Sequence, residues 1–132
     1  MSDSNEAAFA AGMKLRREMF GPGGAEDRLA QATDFTRPLE EVVTRYCFGE
    51  TWNRPGLDRK TRSLLTLAAL TALCKPNQIR VHVAGALANG ATVEEIRETL
   101  LHTMVYAGVP CGVEAFNAAA ETLARHGAGG KP

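Results

Sequence analysis

With 132 residues, 45% of them hydrophobic, and equal numbers of acidic and basic side chains, the chain has the size and apolar content of one globular domain. Zero formal net charge and the lack of any basic tract argue against a nucleic-acid surface. No apolar run approaches the roughly 18 residues needed to cross a bilayer, and MSDSNEAAFAAGMKLRREMFG lacks the apolar centre of a secretory signal. Cys47, Cys74 and Cys111 are far apart and odd in number, with neither zinc spacing nor a disulfide framework. Reduced core thiols in a cytoplasmic setting are therefore expected.

Taken in order, Glu6 to Phe20 reads as a helix, ended by the GPGG of Gly21–Gly24. A short helix over Ala25–Gln31 follows. Asp34 or Thr36 would cap the next, with Pro38 in its first turn and Leu39, Val42, Val43, Tyr46 and Cys47 at helical spacing. Gly49 is expected to stop that helix. Asp58 is the expected N-cap of an almost uncharged helix whose leucines, Leu64, Leu65, Leu67, Leu70 and Leu73, spread around its whole circumference. Such a helix needs cover on every side, which predicts burial against another subunit. Pro76 opens a further helix with Ile79, Val83, Ala86 and Leu87 on one face and His82 at its margin; Asn89-Gly90 ends it. Thr92 and Glu95 form a capping-box pattern ahead of the stripe Val93, Ile96, Leu100, Met104 and Ala107. His102 lies opposite that stripe, with Glu95, Glu98 and Tyr106. Gly108 and Pro110 are expected to break the helix, and a last one runs from about Gly112 to His126 before a flexible tail from about residue 127. The pattern is all-α, with about six to seven helices in a single domain and no trusted strand.

Few side chains could do chemistry. His82 is either a hydrogen-bonded imidazole at the core edge or a sheltered acid–base group. His102 is either a solvated imidazole beside Glu98 or a partner of Tyr106. Glu50, beside Trp52, could orient a histidine or exchange a proton. Arg62, with Arg54 and Arg80 as weaker versions, could grip a carboxylate in bidentate fashion. His82, His102 and Glu50 lack the short i, i+3 or i+4 spacings of metal ligands, so no metal is expected. There is no phosphate loop and no nucleophile elbow.

The strings GETWNRPGLDRKTRSLLTLAALTAL, IRVHVAGALANGATVEEIRETLLH and VYAGVPCGVEAFNAA together resemble the carboxymuconolactone decarboxylases, over most of the chain. The related alkylhydroperoxidases carry Cys-x-x-Cys-x-x-x-His on the helix that here bears His82. Lys75 and Gln78 stand where those cysteines belong, so dithiol peroxidase chemistry is disfavoured.

The resemblance implies a symmetric homo-oligomer, a hexamer built as a trimer of dimers. It also implies cofactor-free decarboxylation of 4-carboxymuconolactone to 3-oxoadipate enol-lactone in protocatechuate breakdown. For that reaction Arg62 would clamp a carboxylate, with Trp52 and Tyr106 walling the ring. One of His82 and His102 would donate to the lactone oxygen. The other, or Glu50 as an acid, would protonate the ring carbon. The alternatives are a decarboxylase of another lactone or keto acid and a non-catalytic, stress-response oligomer on the same scaffold.

Overall fold

A computed structural model describes residues 2–132, and every regular element among them is helical. Helix α1 spans Asp3–Phe20. Ser2 caps it by accepting from the Asn5 amide, and Asp3 and Glu6 place negative charge at the positive end of the dipole. Gly21, at φ 73°, ends it. A 3-10 turn over Pro22–Gly24 and the short α2, Glu26–Ala30, lead to α3, Arg37–Val42. The stop expected at Gly49 does not occur: α3 runs on into a π-helical segment, Val43–Thr51. Gly49 serves close approach instead of termination. A β-carbon there would overlap the Ala8 carbonyl of α1, and one on Gly12 of α1 would overlap the Thr44 carbonyl.

The chain forms two compact units, Met1–Leu57 and Asp58–Pro132. In the first, Leu15, Met19, Phe48 and Trp52 form the core. The Phe48 and Trp52 rings stack at 5.7 Å between centroids, and Phe20 meets Phe48 edge-on at 5.7 Å. Beside this core lies a buried ionic network. Arg16 donates from Nη1 to Glu40 Oε2 at 3.0 Å and to Thr44 Oγ1 at 2.8 Å, and from Nε to the Gly24 carbonyl at 2.8 Å. Arg28 reaches the other Glu40 oxygen at 2.8 Å. Burial pushes the Glu40 carboxyl up, but the bonds from Arg28 and Arg16 outweigh it and hold the group below the usual carboxylate range.

The second unit is a four-helix arrangement. Helix α4, Arg59–Ala72, starts at Asp58, whose Oδ1 accepts from the Thr61 amide at 2.7 Å. Helix α5, Pro76–Ala88, has Pro76 in its first turn. Helix α6, Val93–Ala107, carries both halves of the Thr92/Glu95 capping box. Helix α7, Val109–Arg125, begins earlier than its expected start at Gly112. Gly108, at φ 112°, breaks the chain by itself, and Pro110 then sits in the first turn of α7, where a missing N–H costs nothing. Leu67, Ile79, Val83, Ala86, Ile96, Leu100, Ala115, Ala118 and Ala119 fill the centre. Leu65 and Leu73 of α4 remain 54% and 65% exposed, as expected for a helix apolar all round that one chain covers only in part.

The expectation of three reduced thiols is corrected for two of them. Cys74 and Cys111 are disulfide-bonded, with Cα atoms 5.0 Å apart, and Cys47 alone is free. Sequence spacing could not show this, because the pair is brought together by the α4–α5 turn meeting the first turn of α7. Closing a loop of this length restricts the unfolded chain by about 4 kcal/mol in the chain-entropy model.

The helix contact in the first unit leads to a direct prediction. Gly12→Ala must push the backbone of the π-helical segment away, and urea unfolding should show a loss of about 1–3 kcal/mol. Unchanged stability would show that this contact yields without cost.

Candidate active site

The chemistry-bearing side chains of the second unit lie on α4, α5 and α6. Arg62 is the fourth residue of α4, at the end of its first turn, and is half-buried. Its neighbour Ser63 is fully buried and accepts a hydrogen bond at 3.0 Å from Asn89, at the C-terminal cap of α5. Lys60 pairs with Glu95 at 3.1 Å, tying the start of α4 to the start of α6. The backbone bearing Arg62 is thus anchored from two neighbouring helices.

A cavity of about 460 Å³ opens between α4 and α6. Thr61, Leu64, Leu65 and Ala68 form one wall; Glu98, Thr99, His102 and Thr103 form the other. Apolar α4 therefore faces a wall that carries one imidazole and one carboxylate. His102 itself is exposed, and its ring lies 5.3 Å from that of Tyr106, which is 81% exposed. The expected sharing of one helical face by His102, Glu98 and Tyr106 follows from their 3–4 residue spacing on α6. The volume matches the lower range of small-molecule sites.

His82 is elsewhere on the unit. It sits on α5 beside the fully buried Val83 and is not part of that cavity's wall. Burial lowers its pKa to about 4, because desolvation penalises the imidazolium. At neutral pH the ring is uncharged: one nitrogen carries a hydrogen and the other a lone pair. Such a ring suits hydrogen-bond donation to a developing oxyanion better than delivery of a proton as an acid.

The first unit holds Glu50, Trp52 and Arg54. Glu50 lies on the π-helical segment, exposed, with Arg45 3.9 Å away. Trp52 is only 7% exposed and belongs to that unit's core, stacked on Phe48. Its indole thus fixes the end of the segment that presents Glu50. Arg54 is exposed. Arg80, on α5 of the second unit, donates to Glu121 at 2.6 Å and to Asn77 at 2.6 Å. Among the described residues no three His, Cys, Asp or Glu side chains gather as metal ligands. Sequence reasoning missed Thr61 and Thr99 as cavity walls. Their one signal was position, one turn from Leu64 or Leu65 and from His102.

The model of the family described as "Carboxymuconolactone decarboxylase family" matches residues 37–121, a span that includes Glu50, Trp52, Arg62, His82, His102 and Tyr106. A nitrosuccinic acid decarboxylase of Metarhizium robertsii is 43% identical over 115 residues, covering 87% of this chain and 80% of that protein. A 4-carboxymuconolactone decarboxylase of Acinetobacter baylyi is 36% identical over 120 residues, covering 91% and 90%. An uncharacterized 15.0 kDa protein from the nqo9-nqo10 intergenic region of Paracoccus denitrificans is 46% identical over 130 residues, covering 94% and 96%.

The depressed pKa of His82 gives a signed pH dependence. The unfolded imidazole, near pH 6.5, takes a proton that the folded one refuses until about pH 4. Stability is therefore fully present above pH 6.5 and falls as pH drops from there towards 4, by about 1–3 kcal/mol after allowance for solvent screening. Comparing the melting temperatures of wild type and His82→Gln across this window should show a flatter profile in the variant. Parallel profiles would mean the imidazole titrates alike in both states.

Proposed function

This chain belongs to the carboxymuconolactone decarboxylase family, and we propose that it removes CO₂ from 4-carboxymuconolactone to give 3-oxoadipate enol-lactone. The observation that carries this reading is the α4–α6 cavity, which sets an imidazole opposite an apolar wall, inside the span matched by the family. The substrate brings its own electron sink. When the bond between the γ carbon and its carboxylate breaks, the pair moves through the ring double bond to the lactone carbonyl. The protein must hold a dianion, stabilise charge on the lactone oxygen and protonate a ring carbon.

Arg62 clamps the carboxymethyl arm, which stays. Gripping the departing carboxylate instead would stabilise the ground state and gain no rate. The leucines of α4 keep water from the departing group, whose charge disperses as CO₂ forms. Neutral His82, which does not line this cavity within one chain, donates to the lactone oxygen where the homo-oligomer brings it to the substrate. His102, open to solvent, delivers the proton and recovers it from water. Tyr106 borders the ring, and Glu50, held on the segment fixed by Trp52, acts as the alternative proton source. This chemistry calls for neither a metal nor an organic cofactor, because the lactone itself accepts the electrons.

The pieces assemble in a homo-oligomer, a hexamer made as a trimer of dimers. Leu65, Leu73, Val105, Tyr106 and Val109, all between 54% and 81% exposed, support a second copy as the missing cover. A tail flexible from about residue 127 would lie outside that assembly, and the chain would act in the cytoplasm as a single functional domain.

A second reading is favoured by the 43% identity to the nitrosuccinic acid decarboxylase. Nitrosuccinic acid and 4-carboxymuconolactone share one carbon pattern: a carboxylate, a carboxymethyl arm and a link to an electron sink on the same atom. The nitro group takes the pair as a nitronate where the lactone takes it as a dienolate. One arm clamp and one oxyanion donor would serve either substrate.

CO₂ release by the EDTA-treated protein, measured separately with each compound, tests both readings. Turnover of the lactone is expected. Turnover of nitrosuccinic acid alone selects the second reading, and turnover of neither removes both. Arg62→Ala should chiefly raise KM, while His82→Gln should lower kcat by about 100- to 1000-fold, the usual cost of losing an oxyanion donor. An unaltered kcat in His82→Gln would take the imidazole out of the mechanism.

A further inference from the structure

We propose that Cys74 and Cys111 form a reversible thiol–disulfide exchange centre whose reaction partners are low-molecular-weight thiols and disulfides of the glutathione class. The pair is independent of the decarboxylation chemistry, and neither residue lines the α4–α6 cavity.

The placement of each sulfur carries the inference. Cys74 follows the last turn of α4 in the left-handed conformation, at φ 58°, the only non-glycine residue among those described with positive φ. Its amide bonds to the Thr71 carbonyl at 3.1 Å and the Lys75 amide to the Leu70 carbonyl at 2.9 Å. That is the Schellman pattern, whose left-handed position favours glycine. The same pattern closes α5 with Gly90 at φ 91°. Helix termination therefore does not account for a cysteine at 74, whereas reach to Cys111, 5.0 Å away between Cα atoms, does.

Cys111 is the third residue of a 17-residue helix, with no acidic side chain in the first turn. The positive end of the helix dipole there stabilises a thiolate. Lys75, exposed and next to Cys74, adds a cation on the other side of the bond. Both cysteines are half-buried, with Leu73, Lys75, Val109 and Pro110 exposed around them, so a small thiol has access. Cys47 provides the contrast: burial pushes its thiol pKa up, and it is not bonded.

The step balances without further reagents. In the oxidising direction the Cys111 thiolate attacks an external disulfide, forming a mixed disulfide and releasing one small thiolate. The Cys74 thiolate then attacks the Cys111 sulfur, closing the protein bond and releasing the second. The protein gives up two electrons and two protons, and the external disulfide becomes two thiols; reduction runs the same steps backwards.

The test equilibrates the folded, full-length protein under nitrogen in buffers of varied reduced and oxidised glutathione. Acid quenching, alkylation and mass spectrometry of the peptides bearing Cys47, Cys74 and Cys111 then follow. Cys74 and Cys111 should become alkylatable together, in a two-electron transition lying inside the glutathione range, with Cys47 unchanged. In Cys74→Ser, oxidised glutathione should be captured on Cys111 at least tenfold faster than on Cys47. A bond that stays closed at every ratio until the protein is denatured would make it a purely structural staple and overturn the proposal. Two thiols that remain reduced at every ratio would overturn it equally.

Discussion

The withdrawal of α5 from water is the constraint on which the second unit depends. Ile79, Val83 and Ala86 are buried to within 1% of complete exclusion, against Leu67 of α4 and Ala115, Ala118 and Ala119 of α7. The alanines on α7 let the helices approach closely, and the aliphatic side chains of α5 fill the space between. That packing orders the unit and also decides the charge on His82. An imidazole at the margin of such a core is stripped of water, so its cation is penalised and the ring stays neutral at physiological pH. Stability and the chemical state of a candidate catalytic group thus come from the same desolvation.

The two imidazoles occupy opposite environments. His82 is sheltered and neutral, suited to donating a hydrogen bond to charge that develops on a substrate oxygen. His102 stands on a solvent-facing wall, where water can resupply a proton. A decarboxylation with an internal electron sink uses both functions at different atoms. In the proposed reaction it is this difference in environment, and not the residue type, that separates the two roles. In that proposed reaction the apolar face of α4 is the region of low polarity for the departing carboxylate.

The first unit uses a different strategy. Its helices are held by the absence of side chains, at Gly12 and Gly49, and by the ionic network of Arg16, Glu40 and Arg28. Removing Glu40 would leave the buried Arg16 cation without its carboxylate, whereas Arg28 lies largely in solvent. The π-helical segment Val43–Thr51 is part of the same arrangement. It brings Gly49 against α1 and ends with Trp52 in the core, and Glu50, between them, is presented outward on a rigid support.

Local chemistry in the sequence determined most of the helices. Asp58, Pro76, Thr92 with Glu95, and Asn89-Gly90 each act within a few residues of themselves, through caps and backbone dihedrals that need no distant partner. The apolar stripe of α6 likewise placed His102 on the opposite face before any tertiary contact was known. Features that join distant parts of the chain were legible only after folding. The extension of α3 past Gly49 depends on the Ala8 carbonyl across the helix pair. The start of α7 at Val109 depends on Gly108 alone breaking the chain, which frees Pro110 for the first turn. The Cys74–Cys111 bond joins residues separated by 37 positions, and no spacing rule selects that pair from three cysteines. Burial of His82 deep enough to move its pKa was decided the same way, because desolvation is set by everything that surrounds a group in space and not by its neighbours along the chain.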